Sequence, residues 1–168
     1  LTSLLLAILL AAPVRVSCSN FSAEIYGDPD TRPGTWGRAG AEKWEIRFVQ
    51  PVKIQRVYGD LLAWPKGEVP RGAYYGVLMG LGTNQPDGSA FCDWCADNVF
   101  FYIQGAGSRA SPVVRIPFDT KLNLEGFHDM ITVKVAAFLN DTGREIHIEP
   151  TFCLEYIAGP RGQEGGGQ

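Results

Sequence analysis

Glu145, His147 and Glu149 alternate along the chain, and alternate residues of an extended strand project to one side, roughly 7 Å apart. Two carboxylates and an imidazole at that spacing can converge on a divalent metal, and an enzyme using this face is the weakest of the functional expectations. A solvated strand face has the same pattern, and the sequence offers no outer partners to orient such ligands. His128 and Asp129 are adjacent, but His beside Asp is a weak signal by residue type alone. The chain contains no G-x-S-x-G, no H-E-x-x-H and no phosphate loop, so no nucleophile or metalloprotease pattern supports an enzyme.

Cys92-Asp93-Trp94-Cys95 is a C-x-x-C. A structural zinc site needs a second ligand pair, which Cys18 and Cys153 do not form. A redox motif should open a helix, whereas Asn98-Val99-Phe100-Phe101-Tyr102-Ile103 reads as a strand. A local Cys92–Cys95 disulfide is the expectation, leaving Cys18 to bridge to Cys153 and close a loop of well over 100 residues. Acylation of Cys18 as a lipoprotein competes with that bridge, although Arg15 stands where an apolar residue is usual.

The stretch from Asp87 to Asn98 holds three carboxylates and an Asn, oxygen ligands that would suit Ca²⁺, although the spacing is not that of an EF-hand and ordinary acidic turn residues read alike. No other cofactor is indicated. Trp36, Trp64 and Trp94 fall in or beside turns. Each could cap an open end of the core. A flat indole on a loop also stacks on the apolar face of a sugar, and with Asp93 and Asp97 nearby these residues form a candidate ligand platform. Asn20-Phe21-Ser22 and Asn140-Asp141-Thr142 are glycosylation sequons; Asn140 reads as an accessible turn position.

Positioning these residues is the task of a turn-rich chain. Its 168 residues include 20 Gly and 11 Pro and carry a net charge of −3 with 45% hydrophobic residues. This composition is globular, argues against a helical bundle, and lacks the basic excess of a nucleic-acid partner. The apolar run from Leu4 to Ala12 is too short for a bilayer span, which needs about 20 residues, and resembles the core of a signal peptide. The basic segment that should precede it is not in the sequence. Residues 1–17 are thus expected to be removed, leaving a mature chain with no transmembrane segment. Residues 158–168, mostly Gly and polar, should form a disordered tail.

Between them, residues 18–157 read with period two almost throughout. Trp44, Ile46 and Phe48 alternate with charged residues; residues 72–81 are apolar on both faces, as in a central strand with close-packed glycines. The runs 130–139 and 144–157 flank Asn140-Asp141-Thr142-Gly143 and predict an antiparallel hairpin, with Val135 opposite Ile148 and Lys134 opposite Glu149. Eight or nine short strands without an amphipathic helix predict an all-β antiparallel sandwich of jelly-roll type. An exported, ligand-binding sandwich is the leading functional expectation: secreted, periplasmic or at the cell surface, with a glycan or another surface component as partner. An assembly subunit contacting other chains through aromatics and sheet edges is the alternative.

Overall fold

The structure, a computed structural model, describes residues 12–30, 40–83, 99–122 and 124–159. The period-two segments form eight strands among these residues: β1 Val14–Asn20, β2 Ala23–Ile25, β3 Ala41–Pro65, β4 Tyr74–Thr83, β5 Val99–Ser108, β6 Val114–Lys121, β7 His128–Phe138 and β8 Ile146–Ala158. All pairings are antiparallel. The strands are not uniformly short. Trp44, Ile54 and Trp64 all belong to one strand of 25 residues.

That long strand organises the fold. Residues 41–47 of β3 pair with β7, and its residues 52–65 pair with β8. The register breaks between Arg47 and Val52, where Pro51 cannot donate a ladder hydrogen bond. A second irregularity between Ile54 and Arg56 switches the inward set from even to odd positions, so Ile54, Val57, Leu61 and Ala63 all reach the core. One layer therefore runs β1/β2, β8, β3, β6, and the other runs β3, β7, β4, β5. Successive strands change layer everywhere except between β1 and β2 and between β4 and β5. This is the connectivity of a jelly roll.

The core lies between the layers. Leu61, Ile148, Phe152 and Leu154 of the first meet Val77, Met79, Leu81, Ile131, Val133 and Val135 of the second. Each large side chain fully buried there contributes about 1.5–3 kcal/mol. Tyr75 of β4 spans the gap: its fully buried ring sends the hydroxyl to the carbonyls of Ala63, at 3.2 Å, and Pro112. Burial pushes its hydroxyl pKa up to about 12, so the phenol stays a donor. On β4, as expected of a central strand, both faces are buried. A Cβ on Gly76 would sit 2.3 Å from the Phe138 ring, so only glycine admits that ring.

The expected β7–β8 hairpin is corrected. β7 pairs with β3 and β4, and β8 pairs with β1, β2 and β3. Val135 faces Glu42 and Met79, while Ile148 faces Ala23 and Ala63. Lys134 is not opposite Glu149; it is buried, with Lys43 and Gly80 as its register partners. The intervening residues form a crossover instead of a hairpin turn. Leu139 adopts a left-handed conformation, φ 49°, and packs on Leu78, Ala136 and Phe138. Asn140 Oδ1 accepts from the Thr142 amide (3.2 Å) and hydroxyl (2.5 Å), while its Nδ2 donates to the Arg144 carbonyl at 2.7 Å. Asp141 ties the loop to β4, accepting from the Tyr74 amide at 2.5 Å and donating its own amide to the Tyr74 carbonyl. The polar side chains thus hold a connection between layers, an arrangement local propensity cannot distinguish from a hairpin turn.

β1 begins at Val14, ahead of the expected domain start at residue 18, and Val14 to Ser17 pair with Ile157 to Leu154. Cys18 and Cys153 face each other in this ladder and form the expected disulfide. Among the described residues no helix is long and apolar enough to cross a membrane.

Candidate functional site

Strand register builds one row of side chains on the outer surface of the first layer. The β2–β8 pairing sets Glu24 opposite His147, and the β3–β8 pairing sets Trp64 opposite His147. The imidazole lies against the indole, ring centres 4.3 Å apart and tilted by 36°. Its Nδ1 is 2.6 Å from Glu24 Oε1, and its Nε2 is 2.9 Å from Glu149 Oε1. Partial burial pulls the His147 pKa down, but the hydrogen bonds and negative charges of Glu149 and Glu24 outweigh it, leaving a net rise. Glu24 moves the other way: the hydrogen bond from His147 holds its carboxyl below the usual range, aided by the charges of His147 and Lys66.

The β3–β8 ladder closes at Pro65 and Ile146, and the next residues continue it through Lys66 N donating to Glu145 O at 2.9 Å. The Lys66 ammonium then reaches Glu145 Oε2 at 3.2 Å and Glu24 Oε2 at 3.6 Å. Hydrogen bonding to Glu145 and the charge of Glu24 raise the Lys66 pKa. Glu145 is therefore engaged with Lys66, and it does not join His147 and Glu149 as a third ligand. Both imidazole nitrogens already contact carboxylates, and among the described residues no group of three His, Cys, Asp or Glu side chains is arranged to hold a metal. The cluster is instead a compensated polar network beside a half-buried indole, presenting carboxylate acceptors and an ammonium donor.

A groove of about 500 Å³ adjoins this network at the end of the sandwich. Three connections form it: residues 66–73 between β3 and β4, 109–113 between β5 and β6, and 139–145 between β7 and β8. Gly67, Val69, Pro70 and Pro112 line it together with Glu68, Arg109 and Arg144. The loops are held by Tyr75 against Pro112 and by Asn140 against Arg144. Arg109 and Arg144 make no ion pair among the described residues. By contrast, Arg56 binds Asp119 and Glu155, Arg115 binds Asp60, and Arg47 binds Glu45. Sequence reasoning missed the two groove arginines because each lies in a separate loop without a motif. Only the turn-rich setting around Pro70 and Pro112 hinted that those loops are ordered.

Trp36, Trp94, Asp93 and Asp97 lie outside the described residues, as do Cys92, Cys95 and the whole Asp87–Asn98 stretch expected to suit Ca²⁺. Trp64 is at the end of β3 and not within a loop. His128 opens β7, with Nε2 3.1 Å from the Glu125 carbonyl. Asn20 is exposed at the end of β1. Asn140 is corrected: it is 1% exposed and spends its amide on Arg144, so the turn position is not accessible.

No protein-family model matches the chain, and no curated protein matches it. Similar solved structures include a Desmodium yellow mottle tymovirus chain, 11% identical over 96% of this chain and 98% of that one, TM-score 0.34. The infectious bursal disease virus VP2 subviral particle is 9% identical over 95% of this chain and 37% of its own, TM-score 0.43. Dimeric latent PorU from Porphyromonas gingivalis is 8% identical over 89% of this chain and 14% of its own, TM-score 0.43. The class is set by the chain's own strand order: an all-β, jelly-roll-like domain.

Proposed function

We propose that the protein is an exported ligand-binding β-sandwich whose ligand is a glycan. The observation that carries this reading is Trp64, a half-buried indole on the outer surface beside Glu24, His147, Glu149 and Lys66. The part of the indole that the imidazole leaves uncovered, with carboxylate acceptors at its edge, matches a sugar, which has an apolar C–H face and a rim of hydroxyl donors. Trp36, Trp94, Asp93 and Asp97 are the further residues assigned to this ligand. The Cys18–Cys153 disulfide and the apolar run at Leu4–Ala12 support a secreted, periplasmic or cell-surface location. A glycan array tests the proposal: the wild-type protein binds a defined set of glycans and Trp64→Ala loses them. An array blank for both proteins refutes it.

Assembly with other chains is the second reading, favoured by the outer edge of β1, which pairs with no strand among the described residues. Val14 and Val16 are more than half exposed there, and on the other face of β1 Arg15 and Ser17 line a groove of about 360 Å³ together with Ile46, Phe48 and Tyr156. Exposed apolar edges of this kind pair with further strands or chains. Light scattering that shows concentration-dependent oligomers, lost in Val14→Lys/Val16→Lys, favours this reading.

A further inference from the structure

We infer that the groove between the loops 66–73, 109–113 and 139–145 is an anion subsite of the glycan site, and that the ligand is an acidic saccharide. The inference rests on the glycan reading above and names its ligand class. Three observations support it. First, the groove lies next to the Trp64 network along the chain: Lys66 and Glu145 pair just beyond the ladder, and the adjacent residues Gly67 and Arg144 line the groove. Second, Arg109 and Arg144 reach it from different loops without an ion pair among the described residues. On a chain of net charge −3, they supply local positive charge where overall charge would repel an anion. A guanidinium matches a carboxylate through two parallel hydrogen bonds.

Third, the remaining lining selects among anions. Glu68 stands in the same groove and opposes a compact anion such as phosphate. A sugar acid keeps its carboxylate apart from its hydroxyls, so the carboxylate can face the arginines while a hydroxyl donates to Glu68. Val69, Pro70 and Pro112 offer apolar surface to the C–H face of the ring. The groove volume is also within the usual range for small-ligand sites, about 300–1,000 Å³.

The experiment is calorimetric titration of the full chain with a panel of uronate oligosaccharides, the methyl esters of the same oligosaccharides, and inorganic phosphate. The proteins are wild type, Trp64→Ala, Arg109→Gln, Arg144→Gln and the double arginine variant, with circular dichroism verifying that each is folded. The expected result is binding of a uronate, with its ester about tenfold or more weaker, as loss of a charged hydrogen bond predicts. Each arginine substitution should weaken the acid by a similar factor and leave the ester unchanged, while Trp64→Ala weakens both. Equal binding of acid and ester, untouched by the arginine substitutions, overturns the anion subsite and leaves the glycan reading standing. Phosphate binding as tight as the uronate overturns the saccharide class. Failure of acids and esters alike overturns this inference, and the glycan reading falls with it only if the glycan array is blank as well.

Discussion

His147 Nδ1 lies 2.6 Å from Glu24 Oε1, a contact that fastens the three-residue strand β2 to β8 beyond what its backbone ladder supplies. The pair depends on opposite charges, so its contribution is confined between two titrations. His147 has a folded pKa raised above the ordinary 6.5. Its stabilisation is fully present below 6.5 and is lost as pH rises through the raised value. Glu24 has a folded pKa below the ordinary 4.5, and its contribution is present above 4.5 and lost as pH falls through the lowered value. The contribution of this pair should therefore be greatest between about pH 4.5 and 6.5. Glu24→Gln should lower the His147 pKa, read by NMR of the imidazole, and cost about 0.5–1 kcal/mol at pH 6, as for partly exposed ion pairs. An unchanged His147 titration contradicts the pairing.

The Cys18–Cys153 bridge joins β1 to β8 across 135 residues of sequence. Closing a loop of that length is worth about 5 kcal/mol in the chain-entropy model. Cys18 is exposed on the outer surface, so mild reductant should reach the bond without prior unfolding. Denaturant titrations of oxidised and reduced protein should differ by several kcal/mol, up to about 5. A difference under about 1 kcal/mol, or a lipid mass on Cys18 in non-reducing mass spectrometry, contradicts the bridge as a stabilising element.

Asn140 carries the β7–β8 crossover through its own amide group. Asn140→Ala leaves the Arg144 carbonyl and the Thr142 amide without their partner and should cost about 1–3 kcal/mol. A glycan on Nδ2 would displace the bond to Arg144, so folded protein from a glycosylating host should carry none at Asn140. Exposed Asn20 meets no such obstacle. Peptide mapping by mass spectrometry decides it: an occupied Asn140 in folded protein contradicts the crossover geometry.

Period two made the all-β class readable, and the central position of β4 followed from apolar residues on both faces. The bridge of Cys18 to Cys153 was readable from export chemistry and from elimination. Partner choice was not. Residues 131–139 and 144–152 alternate as a hairpin would, but both faces of β7 are buried, which a two-stranded ribbon on the surface cannot provide. Lys134 was misleading because a lysine in a strand normally marks the solvent face, and here it is buried. The length of β3 was not readable because Pro51 is usually a strand breaker, whereas here a bend with a register break accommodates it. Of the candidate site, Glu24 could not be found from sequence: it lies 123 residues from His147 and meets it only through the β2–β8 register. The groove arginines had no pattern at all, being united only by loop convergence.

The indole of Trp64 provides the most direct test of the ligand site. Its Nε1–H resonance, assigned by its loss in Trp64→Phe, should shift in a saturable manner on titration with the saccharide selected by the array, and His147 should shift at the same ligand concentrations. A Trp64 resonance that stays fixed while the saccharide binds elsewhere, or while no saccharide binds, contradicts the account.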